Sequence, residues 1–380
     1  MKKDIGIITH LYKSTNYGGV LQAFALCEYL NEQGYKTEQI QYEKTDELTL
    51  RKRVGNICRA LKKCYSKAKH ASVYKKIDSR AIKFEEFKKK YICQSRNVYT
   101  KNDLDKLPQE YKLFITGSDQ VWHPNAVCDA YLLAFGNSEV KRMSYAASVA
   151  KDTLTEAELE RYSLSFRNYS AISVREKNAV EILQPASPIK IQLVLDPVFL
   201  LGRKKWDSLG GDKRIKKKYV FCYFLGESNA QRKAAYEYAQ RRECDIFLIG
   251  HLNNEYMECD EKIRGENIVD ADPLDFVRLI RDAETVFTDS FHAMAFSMIF
   301  RKDLFVFERS AKSTMSSRII SLAEMYGIQG RFLNDGYQDS EKLFSIPPID
   351  YEHSEANIEE LREESISFLL NNVKNCLEER

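Results

Sequence analysis

Five stretches of the chain join charged or polar residues to the helix starts and small residues that anion and proton chemistry requires. Thr285–Thr288 reads as a strand, Asp289 or Ser290 then caps a helix, and His292 falls in that helix's first turn. A helix start offers unpaired N–H groups and a partial positive charge, so it can hold a phosphate or carboxylate. A histidine there can contact the anion or shuttle a proton. Arg175 directly follows the strand Ala171–Val174, where a guanidinium can clamp a carboxylate or phosphate through two parallel hydrogen bonds. Gly117, Ser118, Asp119 and Trp122 leave another strand end. The small residues there let backbone approach a ligand, and Asp119 is a base or a cap. Asn16, Tyr17, Gly18 and Gly19 form a polar loop ahead of a helix, and Lys312, Ser316, Ser317 and Arg318 bring cations and hydroxyls to the start of another.

Each stretch alone also fits an ordinary cap or surface ion pair. Together they describe a cleft with several cations, several helix starts and few metal ligands, which suits a small, multiply charged anion. Neither a Walker loop nor a G-x-G-x-x-G fingerprint occurs, which argues against ATPase and dinucleotide chemistry. Without a G-x-S-x-G elbow a hydrolase triad has no nucleophile.

The elements that position these loops alternate between strand and helix. A strand over Asp4–His10, a helix from Val20 to Leu30 ending at Gly34, and a strand over Thr37–Tyr42 form a βαβ opening. The alternation breaks at about 46–106 and resumes with strands at Leu113–Thr116, Arg142–Ala147, Ala171–Val174 and Gln192–Leu195. The second half repeats it, with strands at Tyr219–Leu225, Asp245–Ile249, Thr285–Thr288 and Leu304–Phe307 and helices between them. An amphipathic helix at about 355–378 closes the chain, its apolar face interrupted by Ser365. The expected fold is α/β: two Rossmann-like doubly wound domains facing a cleft, over 1–205 and 206–350, with a C-terminal helix over 351–380. In such sheets ligands sit beyond the carboxyl ends of the strands.

With 380 residues, 44% hydrophobic and 30% charged, the chain has the length and composition for two globular domains. A net charge of +3 gives no support to nucleic-acid binding by overall composition. The interruption differs, because residues 51–90 carry 15 Lys or Arg against 3 Asp or Glu, a local charge of +12. Val54, Ile57, Leu61, Tyr65 and Ala68 recur there at helical spacing. This predicts a basic helical insertion packed on the first domain, and its charge would also suit anionic lipid headgroups. No export-type leader or membrane-length apolar run is evident, and the nine cysteines include no C-x-x-C pair. The expectation is a cytoplasmic protein with reduced thiols and no metal site, peripheral at the inner membrane face if the basic segment engages it.

The motifs, taken in order, resemble the polysaccharide pyruvyl transferases over most of the chain. The resemblance is carried by I-G-I-I-T-H and N-Y-G-G-V-L-Q-A-F-A-L within 5–26, F-I-T-G-S-D-Q-V-W at 114–122 and S-Y-A-A-S at 144–148. It continues through I-S-V-R-E-K at 172–177, L-D-P-V-F-L-L at 195–201, T-D-S-F-H-A-M-A-F-S at 288–297 and S-S-R-I-I-S-L at 316–322. Ala293 departs from the glycine often found after the histidine.

The resemblance implies a GT-B-like fold. It also implies transfer of pyruvate from phosphoenolpyruvate, a donor co-substrate rather than a cofactor, to a sugar as a cyclic ketal. By motif position Arg175 and His292 would contact the donor, with Lys312 a third cation and the helix start at Ser290 offsetting charge. Asp119 or Asp289 would act as base toward the sugar diol. The saccharide acceptor, free or lipid-linked, would lie by Asn16–Gly19 and Ser118–Trp122, with Tyr17 and Trp122 as stacking faces and Arg318 at the cleft. Two other readings stay open: a nucleotide-sugar glycosyltransferase of the same fold with Glu308 at the ribose, and a saccharide-binding protein without activity.

Overall fold

Runs such as Ile5–Ile8 and Tyr219–Tyr223 are buried along their whole length, as strands covered on both faces by helices must be. The computed structural model describes residues 2–44, 60, 62–213, 215–309, 317–333 and 340–378. Its first sheet consists of β1 (Lys3–Ile8), β2 (Thr37–Tyr42), β3 (Gln94–Tyr99), β4 (Tyr111–Thr116) and β5 (Lys141–Ser144). These run parallel in the order β3-β2-β1-β4-β5. A parallel pair, β6 (Ile172–Val174) and β7 (Ile191–Leu193), continues beyond β5 through bridges from Met143 to Ala171 and from Ala147 to Val174.

The second sheet holds β8 (Tyr219–Tyr223), β9 (Asp245–Leu248), β10 (Glu266–Asn267), β11 (Thr285–Thr288), β12 (Asp303–Phe307) and β13 (Phe332–Leu333). It is parallel, in the order β10-β9-β8-β11-β12-β13. Both sheets therefore reverse their winding beside their first strand, between β1 and β4 and between β8 and β11. Those reversals are where open α/β sheets leave a crevice for ligands.

Several connections join the halves, and three of them rest on helices. Trp206, in the helix Gly202–Gly210, wedges between Phe24 and Phe296 at 5.7 and 4.8 Å between ring centroids. Arg80, buried in the helix Ala71–Tyr91, donates to the carbonyls of Gly250 and His251 at 3.0 and 2.6 Å. The helix Tyr351–Glu378 returns from the second half to the first. There Ser365 accepts the Leu195 N–H at 2.9 Å, and Arg362 donates to the carbonyls of Phe199 and Leu200. Ser365 is thus a buried anchor of that helix rather than a gap in its apolar face.

Two expectations need correction. The interruption at 46–106 contains β3, an edge strand whose Gln94, Ser95, Arg96 and Asn97 give no apolar run to read. Of the expected stripe, Val54, Ile57 and Leu61 lie outside the described residues, whereas Tyr65 is 73% exposed. The segment packs instead through Tyr74, Ile77, Phe84 and Phe87. Some of its cations are internal ties: Lys88 is buried and reaches the carbonyls of Leu11 and Ser14, holding the loop after β1. Lys83 pairs with Asp270 at 2.7 Å.

Candidate active site

Asp196 stands at the centre of a buried charge cluster where the halves meet. Its Oδ2 receives Arg175 Nη1 at 2.6 Å and the Ser118 hydroxyl at 2.9 Å, and lies 3.5 Å from His292 Nε2. Its Oδ1 accepts the Val198 N–H at 3.1 Å, capping the turn Pro197–Phe199. Burial alone would raise the Asp196 pKa, but His292 and Arg175 outweigh it and hold the carboxyl well below the usual carboxylate range. Arg175 follows β6 and is 2% exposed. Phe291, in the second domain, places its ring 4.4 Å from the Arg175 guanidinium carbon, a cation–π contact between domains.

Asp119 adds a second carboxylate, with Oδ1 3.5 Å from Arg175 Nη2. Burial raises its pKa, and the charges of Arg175, His292 and His10 overcome this to give a net lowering. Its backbone, at φ 77° and ψ −178°, occupies a region that suits only glycine. The Ser148 N–H at 3.0 Å and the Val121 N–H at 2.7 Å bind its carbonyl and keep it there. Such strain is retained where the surrounding structure fixes a side chain in one direction. Here that direction is toward Arg175 and a cleft of about 450 Å3 lined by His10, Ser14, Asn16, Asp119, Gln120, His123 and Ala126.

Three helix starts surround the cluster. Asn16 caps the helix Tyr17–Glu32 by accepting the Gly19 N–H at 2.9 Å, and Gly18 lies directly against the His292 ring. Ser290 caps the helix Phe291–Ile299, which presents His292. Arg318 is buried in the first turn of the helix Ser317–Tyr326. Glu176 is buried beside Arg175; its Oε1 accepts the Ser148 hydroxyl, and its Oε2 has no hydrogen-bond partner among the described residues. Among the described residues no group of three or more His, Cys, Asp or Glu forms a metal cluster.

Of the residues singled out from sequence, Arg175, His292, Asp119, Ser118, Asn16, Gly18, Ser290 and Arg318 converge here. Three do not take the expected places. Asp289 is turned to the neighbouring loop: its two oxygens accept the N–H groups of Leu225 and Gly226 at 2.7 and 2.8 Å, tying the loop after β8. Burial, only partly offset by Arg309 and those bonds, raises its pKa. Trp122 is wholly buried, its Nε1 donates to the Tyr131 carbonyl at 3.0 Å, and Phe166 covers its ring. Tyr17 is equally buried: its hydroxyl donates to the Ala271 carbonyl at 2.7 Å and its ring stacks on Phe276, so it joins the domains. Lys312 lies outside the described residues. Sequence reading missed Asp196, Glu176 and Phe291. The Asp-Pro step at 196–197, a cap signal at a strand end, was the available pointer to the first.

The family model of the polysaccharide pyruvyl transferases matches residues 16–310, from the cap of the first helix to just beyond β12. The chain belongs to this family. No curated protein matches the chain individually. Among solved structures, the UDP-GlcNAc 2-epimerase from Methanocaldococcus jannaschii aligns with 96% of this chain and 100% of its own, at 11% identity and a TM-score of 0.53. The wall teichoic acid polymerase TagF aligns over 99% and 90%, at 10% identity and a TM-score of 0.51. At such identity the likeness concerns the fold, and it makes this pyruvyl transferase family member a GT-B-type α/β protein. The family's matched span holds Arg175, Asp196 and His292 together, whereas Arg318 lies beyond it.

Proposed function

We propose that the protein transfers pyruvate from phosphoenolpyruvate to a sugar diol of a surface polysaccharide or its lipid-linked precursor, forming a cyclic ketal. The observation that carries this reading is the meeting of Arg175 and His292 on Asp196 at the facing switch points, with Asp119 held beside them at the edge of a polar cleft.

In this reading His292 delivers a proton to the methylene carbon of the donor, and C2 becomes electrophilic. One sugar hydroxyl adds at C2, and Asp119, which stays ionised well into acid, takes its proton. The second hydroxyl then displaces the phosphate and closes the ring. The donor's double bond becomes a methyl-bearing ketal carbon; the C2–O bond breaks with its electron pair leaving on the phosphate, which carries off the second hydroxyl's proton, while the first hydroxyl's proton replaces the one consumed at carbon. Asp196 holds both His292 and Arg175 in place, so the acid and the cation keep a fixed spacing.

Membership of the family supports the transferase assignment, and the polar lining of the cleft suits hydroxyl-rich acceptors. The test is phosphate release that requires both phosphoenolpyruvate and a diol-bearing saccharide, across galactose- and mannosamine-containing acceptors. Release with a nucleotide sugar instead, or none with any pair, overturns the reading.

A further inference from the structure

Arg318 differs from the neighbouring arginines Arg175 and Arg309. Arg175 is matched by Asp196 at 2.6 Å and Asp119 at 3.5 Å. Arg309 donates to the Asp289 carbonyl at 3.3 Å and faces its carboxylate at 3.9 Å. Arg318 is only 6% exposed, and no described group forms a hydrogen bond or ion pair with its guanidinium; its Nε is fully enclosed. Burial, then the like charge of Arg175, lowers its pKa to about 10, with Glu176 and Asp119 only partly opposing. It therefore remains charged at neutral pH, and a buried charge with no hydrogen-bonded counter-ion among the described residues is costly to keep.

Among the described residues the guanidinium has no directly paired anion. Arg318 sits in the first turn of the helix Ser317–Tyr326, whose dipole adds to its charge. One turn further along the same helix, Ser321 accepts at 3.1 Å the N–H of Lys177, two residues after Arg175, so this end of the helix packs where β6 delivers Arg175. A guanidinium fork beside a helix start fits a group with several charged oxygens better than a lone carboxylate.

We propose that Arg318 is the phosphoryl anchor of the cleft, binding the phosphate of the donor against the first turn of its helix while Arg175 stays paired with Asp196. The identity of the donor rests on the pyruvyl transfer reading; the anchor itself does not. Titration calorimetry with phosphoenolpyruvate, inorganic phosphate, UDP and pyruvate tests it on the wild type, Arg318→Gln and Arg318→Lys. Arg318→Gln is expected to lose at least about tenfold in affinity for phosphoenolpyruvate and phosphate. Its affinity for pyruvate, which lacks the phosphoryl group, should stay unchanged, and Arg318→Lys should recover part of the loss. The ligand-free Arg318→Gln protein should melt no lower than wild type, because an unmatched buried charge has been removed. Unchanged phosphoenolpyruvate affinity in Arg318→Gln overturns the proposal, as does an equal loss for pyruvate or a wild type that binds no phosphate-bearing ligand. Arg318-dependent binding of phosphate and UDP, with phosphoenolpyruvate no tighter than phosphate, upholds the anchor and removes the pyruvyl reading.

Discussion

Gly18 and His292 meet across the two domains so closely that a β-carbon on Gly18 would stand 2.0 Å from His292 Nδ1 and 2.3 Å from its Cγ. The imidazole occupies the space a side chain would need, so only glycine lets the first helix approach the second domain this far. Gly18→Ala must displace the ring from its place beside Asp196. Because displacing a reacting group by an ångström costs on the order of a hundredfold in rate, turnover should fall by about that factor. Gly19→Ala, whose β-carbon would stand 3.0 Å from Asp119 Oδ2, should be milder. Phosphate-release rates of the two variants check this; equal rates would deny that the glycine sets the ring.

Asp196 carries a pH signature. Its folded pKa lies below the unfolded value of about 3.9, so its contribution to stability is complete above roughly pH 4 and lost as pH falls through the folded value. Asp196→Asn leaves Arg175 buried without its closest partner, a loss of about 3 kcal/mol or more. The melting-temperature gap between wild type and Asp196→Asn should be constant from pH 5 to 8 and shrink below pH 4. A gap that widened on acidification would contradict the assignment.

Tyr17 and Trp122 are expected to affect stability and not acceptor recognition. Tyr17→Phe removes the hydrogen bond to Ala271 and should destabilise by about 1 kcal/mol, with the acceptor KM unchanged. Trp122→Phe opens space beside Phe166 and leaves the Tyr131 carbonyl with the Thr116 hydroxyl as its side-chain donor, so it should lower the melting temperature further. A selective rise in acceptor KM for either variant would restore a sugar-stacking role.

The basic segment retains a surface charge after its internal ties are set aside. Lys62, Lys67, Lys69, Lys75, Lys76, Lys89 and Lys90 are exposed. Among the described residues no helix is long and apolar enough to cross a membrane. Flotation with vesicles should show binding to anionic but not to neutral lipid, weakening as salt rises. Equal and negligible binding to both would confine the segment to its packing role.

The strand-helix alternation was legible because buried parallel strands such as Thr285–Thr288 are short apolar runs ending at a cap. β3, β10 and β13 were not, being polar or only two residues long. The site was legible as types of loop but not as partnerships. Spacing placed Arg175 and His292 at strand and helix ends, yet nothing in sequence says that Asp196 joins them. The aromatic residues Tyr17 and Trp122 misled because stacking faces and core residues share one composition. Asp289 misled because a helix-start aspartate can face the ligand or, as here, the neighbouring loop.

The most direct measurement is the melting-temperature shift produced by millimolar phosphoenolpyruvate, beside UDP, on wild type, Arg175→Ala and His292→Ala. A ligand at a hundred times its Kd stabilises the folded state by about 2.7 kcal/mol, a shift of a few degrees. The account predicts that shift with phosphoenolpyruvate in the wild type and its loss in both variants. A shift with UDP and none with phosphoenolpyruvate would contradict it.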